Sequence, residues 1–382
     1  MAADPRIKTV LLTEIISPYR IPVFNEIAAY PTIDLKVVFF AETERERSWR
    51  VPVEKIRFPY EVLPGVAIPL PDRFPVFFNP GLTAALKREA PGVLICGGYH
   101  HPSSLAALWY ANAARIPFIL WCESHLQSAR LRGPLFDWYR RRFVRRSQGF
   151  IVPGTKSREY LLSLAADDAR IWTAPNAVDN PAFSREVNPA AEQARWRGRF
   201  SKNVILYVGR LVESKGLRAL LQAVEQLSKS TEVQLILVGE GVARSRYESF
   251  CASRGLSNVF FEGFKQQEDL SFYYSMADIF VLPSLREEWG LVLNEAAAAG
   301  LPLIGSEAAG ASRDLIEEGE NGFRVPPGDA RVLAERLSVI LGDPTLKEKM
   351  GQRSRQIAQR FSPAECAAGF LRALQGVKGA GP

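Results

Sequence analysis

The chain has 382 residues, 47% of them hydrophobic and 23% charged, which is enough apolar material for two domains with a core each. No apolar run reaches the roughly 18 uncharged residues that cross a bilayer, and a start carrying Asp4, Arg6 and Lys8 lacks a secretory core, so a cytoplasmic protein is expected. The net charge of +7 lies in the first half, where residues 1–180 carry 23 Lys and Arg against 17 Asp and Glu, while the remainder carries 25 against 24. Cys96, Cys122, Cys251 and Cys366 stand singly and only three histidines occur, which argues against disulfides and against a metal site.

Lys8 to Ile15 reads as a buried first strand, followed through Ser17-Pro18-Tyr19-Arg20 by a helix carrying Val23, Phe24 and Ile27, then by a strand at Leu35 to Phe40. Glu42 to Pro80, rich in Pro, aromatic and charged residues without a sustained period, reads as an irregular surface insertion. Val93 to Cys96 is a short strand ending in Gly97-Gly98-Tyr99-His100-His101, and Phe118 to Cys122 is another, delivering Glu123, Ser124 and His125 at its end. Strand ends are where ligands of open α/β sheets bind. Gly149 to Pro153 and Ile171 to Ala174 complete a first set of strands, with a helix over Lys156 to Leu164 between them.

Arg140, Arg141, Arg142, Arg145 and Arg146 form one basic run behind Phe136, Trp138 and Tyr139. Two readings stay open: a solvated helix face, or peripheral contact with anionic lipid or an acidic substrate. No nucleic-acid motif accompanies the run, so nucleic acid is not an expected partner.

Polar residues from Asn180 to Arg199 read as the crossing to a second domain, where the alternation restarts with a strand over Asn203 to Val208 ending in Gly209-Arg210. Lys215-Gly216 then opens a helix whose Leu217, Leu220, Leu221, Val224 and Leu227 recur at helical spacing. Strands follow at Val233 to Val238, closed by Gly239, at Val259 to Glu262, closed by Gly263-Phe264, at Ile279 to Leu282 and at Leu303-Ile304. Alternating strands and helices in both halves predict an α/β protein of two doubly wound, Rossmann-like parallel-sheet domains facing a cleft. The expected division is 1–180, 181–360 and a C-terminal segment 361–382.

The chemistry concentrates in the second half. Arg210 follows a strand-end glycine and Lys215 precedes a helix, a fork and a point charge suited to a diphosphate; a surface pairing with Glu213 fits the same residues. Ser284 to Glu295 reads as a loop carrying Glu287, a helix start at Gly290-Leu291 whose unpaired N–H groups suit an anion, and Glu295 one turn inside. Two carboxylates beside an anion site suit a phosphorylated ligand with hydroxyls to grip, such as a nucleotide sugar; acids favouring a helix start are the plainer alternative.

Taken in order, Gly209-Arg210, Lys215-Gly216 and the Glu287 to Glu295 pair with Gly290 between them resemble the retaining family four glycosyltransferases of the GT-B fold. Pro175 to Asp179, Val238 to Gly241, Ala277 to Ser284 and Gly300-Leu301-Pro302 add to the resemblance. It implies that Arg210 and Lys215 bind the donor diphosphate, Glu295 the ribose, and Glu287 the transferred sugar. Gly290 and Leu291 would touch phosphate or sugar through N–H groups, with Gly239 and Gly263, Phe264 and Lys265 among the donor-binding positions. The last three would flank the nucleobase, and the final helix, Cys366 to Leu374, would return to the first domain. Glu123 stands where the family often places a His or Asp, and His125 two residues on, so either is a candidate to orient acceptor or sugar; His100 and His101 are weaker ones. The first half departs from the family in carrying Ser17-Pro18-Tyr19-Arg20 where many members have a glycine-rich loop. The resemblance implies a metal-independent retaining glycosyltransferase using a nucleoside-diphosphate sugar, with UDP-sugar expected and no other cofactor. Its acceptor would be a lipid-linked or cell-envelope glycan or a small aglycone. A nucleotide-sugar epimerase and a catalytically silent binding subunit are the alternatives; a dehydrogenase is disfavoured because GxGxxG follows neither first strand.

Overall fold

A computed structural model describes residues 6–44, 49–70, 73–128, 133–184 and 203–379. The chain divides into two compact units, residues 1–177 with 363–382 and residues 178–362. These boundaries lie within three residues of the divisions at 180 and 360, and most of the polar crossing, residues 185–202, falls outside the described residues.

In the first unit β1 (Ile7–Thr13), β2 (Ile33–Phe39), β3 (Tyr60–Val62), β6 (Val93–Gly97), β7 (Phe118–Trp121), β8 (Gly149–Val152) and β9 (Ile171–Thr173) form one sheet in the order β3-β2-β1-β6-β7-β8-β9. Every pairing in it is parallel. Both faces are covered, which is why its strands are apolar at successive positions instead of alternating with polar ones. Val10 and Leu12 of β1 join one core with Leu94, Cys96 and Phe118, while Leu11 joins the other with Val37, Ile95 and Ile119. The covering helices are α1 (Ile21–Ala29), α2 (Leu82–Glu89), α3 (Pro102–Ala114), α4 (Pro134–Arg145) and α5 (Thr155–Ser163).

The region from Glu42 to Pro80 is not the irregular insertion its composition suggests. Its β3 extends the sheet, and β4 (Val66–Leu70) and β5 (Arg73–Phe78) make an antiparallel hairpin. Asn79, 4% exposed, ties it down by donating its amide to the carbonyls of Phe40 at 2.8 Å and Leu63 at 3.2 Å. Phe58 and Phe77 are buried in the two cores.

The second unit begins with the short α6 (Asn180–Phe183) and builds the sheet β12-β11-β10-β13-β14-β15 from β10 (Val204–Val208), β11 (Gln234–Val238), β12 (Val259–Gly263), β13 (Ile279–Leu282), β14 (Leu303–Ser306) and β15 (Gly322–Val325). All its pairings are parallel as well. Its helices are α7 (Leu217–Leu227), α8 (Arg244–Arg254), α9 (Gln267–Met276), α10 (Leu291–Ala298), α11 (Ser312–Leu315), α12 (Ala330–Gly342) and α13 (Pro344–Ala358). The apolar face of α7 is buried along its whole length, Leu217 through Leu227. β15 is a strand the sequence pattern did not announce, because four residues broken by Arg324 give no usable period. The chain then returns to the first unit as α14 (Pro363–Gly379), which packs on α1, β8 and β9 and buries Cys366, Phe370 and Leu374 in the core that holds Leu11 and Ile95.

Candidate functional site

Each sheet reverses its strand order once: between β1 and β6 in the first unit, and between β10 and β13 in the second. In open α/β sheets the loops leaving such a pair of strands part from each other, and ligands bind at the strand ends between them. In the second unit those ends deliver Gly209-Arg210 from β10 and Ser284 to Gly290 from β13.

Lys215 and Glu287 meet there as an ion pair, Nζ to Oε2, each side chain 16% exposed. The Ser284 hydroxyl donates to the same carboxylate oxygen at 3.3 Å. The two loops are bound to each other by backbone, since the N–H groups of Leu285 and Arg286 both donate to the Ser214 carbonyl, at 2.9 and 3.1 Å. Gly216 makes that closeness attainable: its φ is +68°, and a Cβ there would stand 2.2 Å from the Pro283 carbonyl oxygen. Beneath the loops Tyr207, fully buried, donates to the Arg210 carbonyl at 2.9 Å. Burial and then the nearby Glu287 charge hold its phenol well above the ordinary range, with Arg210 acting the other way. Arg210, Lys215 and Glu287 therefore share one neighbourhood, while Gly290 caps α10 with no side-chain cap and lies against Glu287. The arrangement offers cations, one carboxylate and a helix start, which is an anion-binding set with a hydroxyl acceptor beside it.

Glu295 has a different setting. It is 0% exposed, and Tyr274 of α9, also 0% exposed, donates its hydroxyl to Oε2 at 2.5 Å. Phe183 and Phe280 pack on the Tyr274 ring with centroids at 5.8 Å in both cases, so the hydroxyl is held in place. The two acids that look alike in sequence are thus unlike in the fold, one partly open and one closed over. Gly239 follows β11 and Gly263 ends β12, the edge strand; Phe264 beyond it is 42% exposed, and the Lys265 ammonium lies 5.8 Å from the Tyr273 ring centre. Leu291 begins α10 and is half-buried.

In the first unit Glu123 forms an ion pair with Arg20, whose guanidinium lies 4.1 Å over the Trp121 ring and donates to Asn176 Oδ1 at 3.0 Å. Arg20, in the segment that stands where many family members have a glycine-rich loop, is thereby a member of a polar cluster at the end of β7. His125 is 1% exposed and closes a turn with Ser128, its N–H donating to the serine hydroxyl at 2.9 Å. Sequence reasoning passed over Tyr274 and Ser284, which donate to the carboxylates, Tyr207, which donates to the Arg210 carbonyl, and Glu14, which the reading of Lys8 to Ile15 as one strand had enclosed and which in the fold follows β1 directly.

The basic run needs one correction. Arg140 is 7% exposed and paired with Asp137 at 2.9 Å, so it faces inward with Phe143 and Val144. Arg141, Arg142 and Arg145 are exposed together with Leu135 and Trp138, at 72% and 59%, and Arg142 and Arg146 lie over the Trp138 and Trp109 rings at 5.6 and 5.0 Å.

Two open, wholly parallel α/β sheets, each with chemistry at its own point of reversal, define the GT-B class. The solved structures agree: HepE of Anabaena, solved in complex with UDP, has a TM-score of 0.77 over 96% of this chain and 99% of its own, at 20% identity. Sucrose-phosphate synthase of Thermosynechococcus elongatus gives 0.72 over 98% and 100%, at 21% identity. The family models "Glycosyl transferases group 1" and "Glycosyltransferase Family 4" match residues 191–357 and 33–180. The chain belongs to the group 1 glycosyltransferases. Among curated relatives, the alpha-D-kanosaminyltransferase of Streptomyces kanamyceticus is 28% identical over 59% of this chain and 59% of its own length. A sulfoquinovosyl transferase of Arabidopsis thaliana is 28% identical over 74% of this chain and 54% of its own. The chain therefore spans little more than half the length of these relatives.

Proposed function

We propose that this chain is a retaining glycosyltransferase moving a hexose-type sugar from a nucleoside-diphosphate sugar, with UDP as the expected carrier, to an acceptor hydroxyl. The observation that carries the reading is the Lys215–Glu287 pair at the reversal between β10 and β13, set beside the start of α10. Arg210, Lys215 and the first N–H groups of α10 offset the negative charge that grows on the leaving diphosphate. Those cations supply the countercharge, so no metal is called for. Glu287 accepts hydrogen bonds from hydroxyls of the transferred sugar and Glu295 from the ribose, which requires the side chains over Glu295 to part. Gly263, Phe264 and Lys265 flank the base, while Gly239 and Leu291 line the donor through backbone.

As the bond from the anomeric carbon to the phosphate oxygen breaks, the acceptor oxygen bonds to the same face of that carbon. Its proton passes to the departing phosphate. Glu123 and His125 belong to the first unit, and their part in the reading is to orient the acceptor, Glu123 directly and His125 through the turn it closes. The acceptor is a lipid-linked or cell-envelope glycan or a small aglycone; for a lipid-linked one, the exposed face of α4 provides peripheral contact at the inner surface of a membrane.

The test is nucleotide release from a panel of UDP-, GDP- and ADP-sugars, with and without mixed acceptors, followed by NMR of the product's anomeric configuration. Acceptor-dependent release with the configuration kept is the expected result. An inverted product would refute retention, and a donor sugar altered without an acceptor would instead favour epimerisation.

A further inference from the structure

The first unit repeats, with different residues, the arrangement that the second unit makes from Lys215 and Glu287. At the reversal between β1 and β6 stands Glu14, the residue directly after β1, and His101 at the start of α3 holds it, with Nε2 2.8 Å from Glu14 Oε1. His101 is 3% exposed, and its Nδ1 accepts the Phe77 N–H at 3.2 Å. An imidazole that accepts at Nδ1 carries its proton on Nε2, so Glu14 is the acceptor and the tautomer is fixed from behind. Phe40 and Phe77 flank the ring at 5.8 and 5.2 Å and keep it from turning.

A histidine with both nitrogens engaged in this way is not poised to move a proton. Its effect is on Glu14, whose side chain remains 40% exposed while one oxygen is oriented. Gly98, the first residue after β6, has no side chain to screen that oxygen: an added Cβ would come within 4.0 Å of it. The Gly98 N–H donates to the Trp121 carbonyl at 2.9 Å, so the end of β7, and Glu123 after it, adjoins the same place. Glu123 is held there by Arg20, so the acidic group presented to a ligand is the Glu14 carboxylate, which disfavours an anion and accepts from hydroxyls.

We propose that the ends of β1 and β6 form a binding site for a neutral polyhydroxylated group, a sugar ring or polyol, with Glu14 accepting from its hydroxyls and His101 positioning Glu14. The site deepens the transferase reading and rests on it only in calling this ligand the acceptor; the binding itself needs no donor.

The probe is methyl α-D-glucopyranoside, observed by saturation-transfer NMR on the full chain with UDP present in excess. Wild type is expected to transfer saturation to the glucoside, with apparent affinity at least tenfold weaker in Glu14→Ala and in His101→Leu. His101→Gln, whose amide can donate to Glu14 and accept from Phe77, is expected to keep most of it; a merely structural histidine would not be rescued in this way. Absence of the signal in wild type, an undiminished signal in Glu14→Ala, or equal loss in His101→Gln and His101→Leu would overturn the site. A signal lost in Glu287→Gln but kept in Glu14→Ala would place the glucoside in the second unit, and would overturn it too. The UDP-induced rise in melting temperature, read on wild type and Glu14→Ala, tests the donor reading separately. Equal rises keep the Glu14 effect specific to the sugar, whereas no rise in wild type fails the donor reading alone.

Discussion

Lys215 and Glu287 neutralise each other in the free chain, and that pairing keeps a 16%-exposed carboxylate from standing charged and alone. Lys215→Ala removes both the partner and a cation aimed at the leaving group. The expected loss is about 10²–10³-fold in kcat for nucleotide release, with the fold intact by circular dichroism. A fall of less than threefold would take Lys215 out of the charge-stabilising role. Tyr274→Phe is a different kind of change, because it strips a hydroxyl donor from a carboxylate that no water reaches. It should cost about 1–3 kcal/mol, read as a lower urea midpoint at unchanged slope; an unshifted midpoint would show that the hydrogen bond contributes nothing net. The sequence shows Glu287 and Glu295 as equals with seven residues between them, and their chemistry was legible from type and spacing. Their inequality was not, since it depends on Tyr274, which lies on another helix and reaches Glu295 only through packing on Phe183 and Phe280.

At the level of elements, strand–loop–helix alternation carried most of the reading. The α7 face, five leucine and valine positions at helical spacing, was visible before any fold. Two short strands were not: three-residue β3 and four-residue β15 gain their stability from the neighbour already in the sheet, so their sequences need carry no period. The β10–α7 connection tests how tightly the elements are drawn together. Gly216→Ala drives a Cβ to 2.2 Å from a backbone oxygen that a side-chain rotation cannot move, at a φ of +68°. A loss of about 1–3 kcal/mol is expected, together with weaker nucleotide binding because Lys215 shifts with its loop. Stability equal to wild type would mean that the loops are not held at this separation.

The α4 face makes its own prediction. The chain should co-sediment with vesicles containing phosphatidylglycerol and not with pure phosphatidylcholine. Trp138→Ala with Leu135→Ala should weaken this severalfold, as should high salt. Binding that ignores lipid charge, or survives the double substitution, would remove α4 from the contact. Composition had revealed the arginines; which of them face outward follows from helix geometry, and Arg140 could not be sorted from its neighbours until Phe143 and Val144 fixed the inner face.

For the whole molecule, the four cysteines record how completely the cores close. All four are buried, and burial pushes the Cys96 and Cys366 thiols up to about 12 and Cys251 up to about 11. Folded thiols therefore stay neutral where unfolded ones ionise, near 9.0. The stability they contribute is whole below that pH and is lost as pH rises from 9.0 toward about 12. Urea unfolding at neutral pH and above 9.0 should show this decline, and Ellman's reagent should find the thiols slow in the native chain and all reactive once it is unfolded. Fast native reaction of Cys96 or Cys366 would contradict such closure. The proposed donor site, however, lies at the reversal between β10 and β13, where Lys215 and Glu287 pair and Arg210 lies in the same neighbourhood. Calorimetric titration of UDP into wild type and Lys215→Ala tests it most directly. Saturable one-to-one binding, weakened at least tenfold by the substitution, is expected; binding equally tight in both proteins, or none in wild type, would rule out a nucleotide site there.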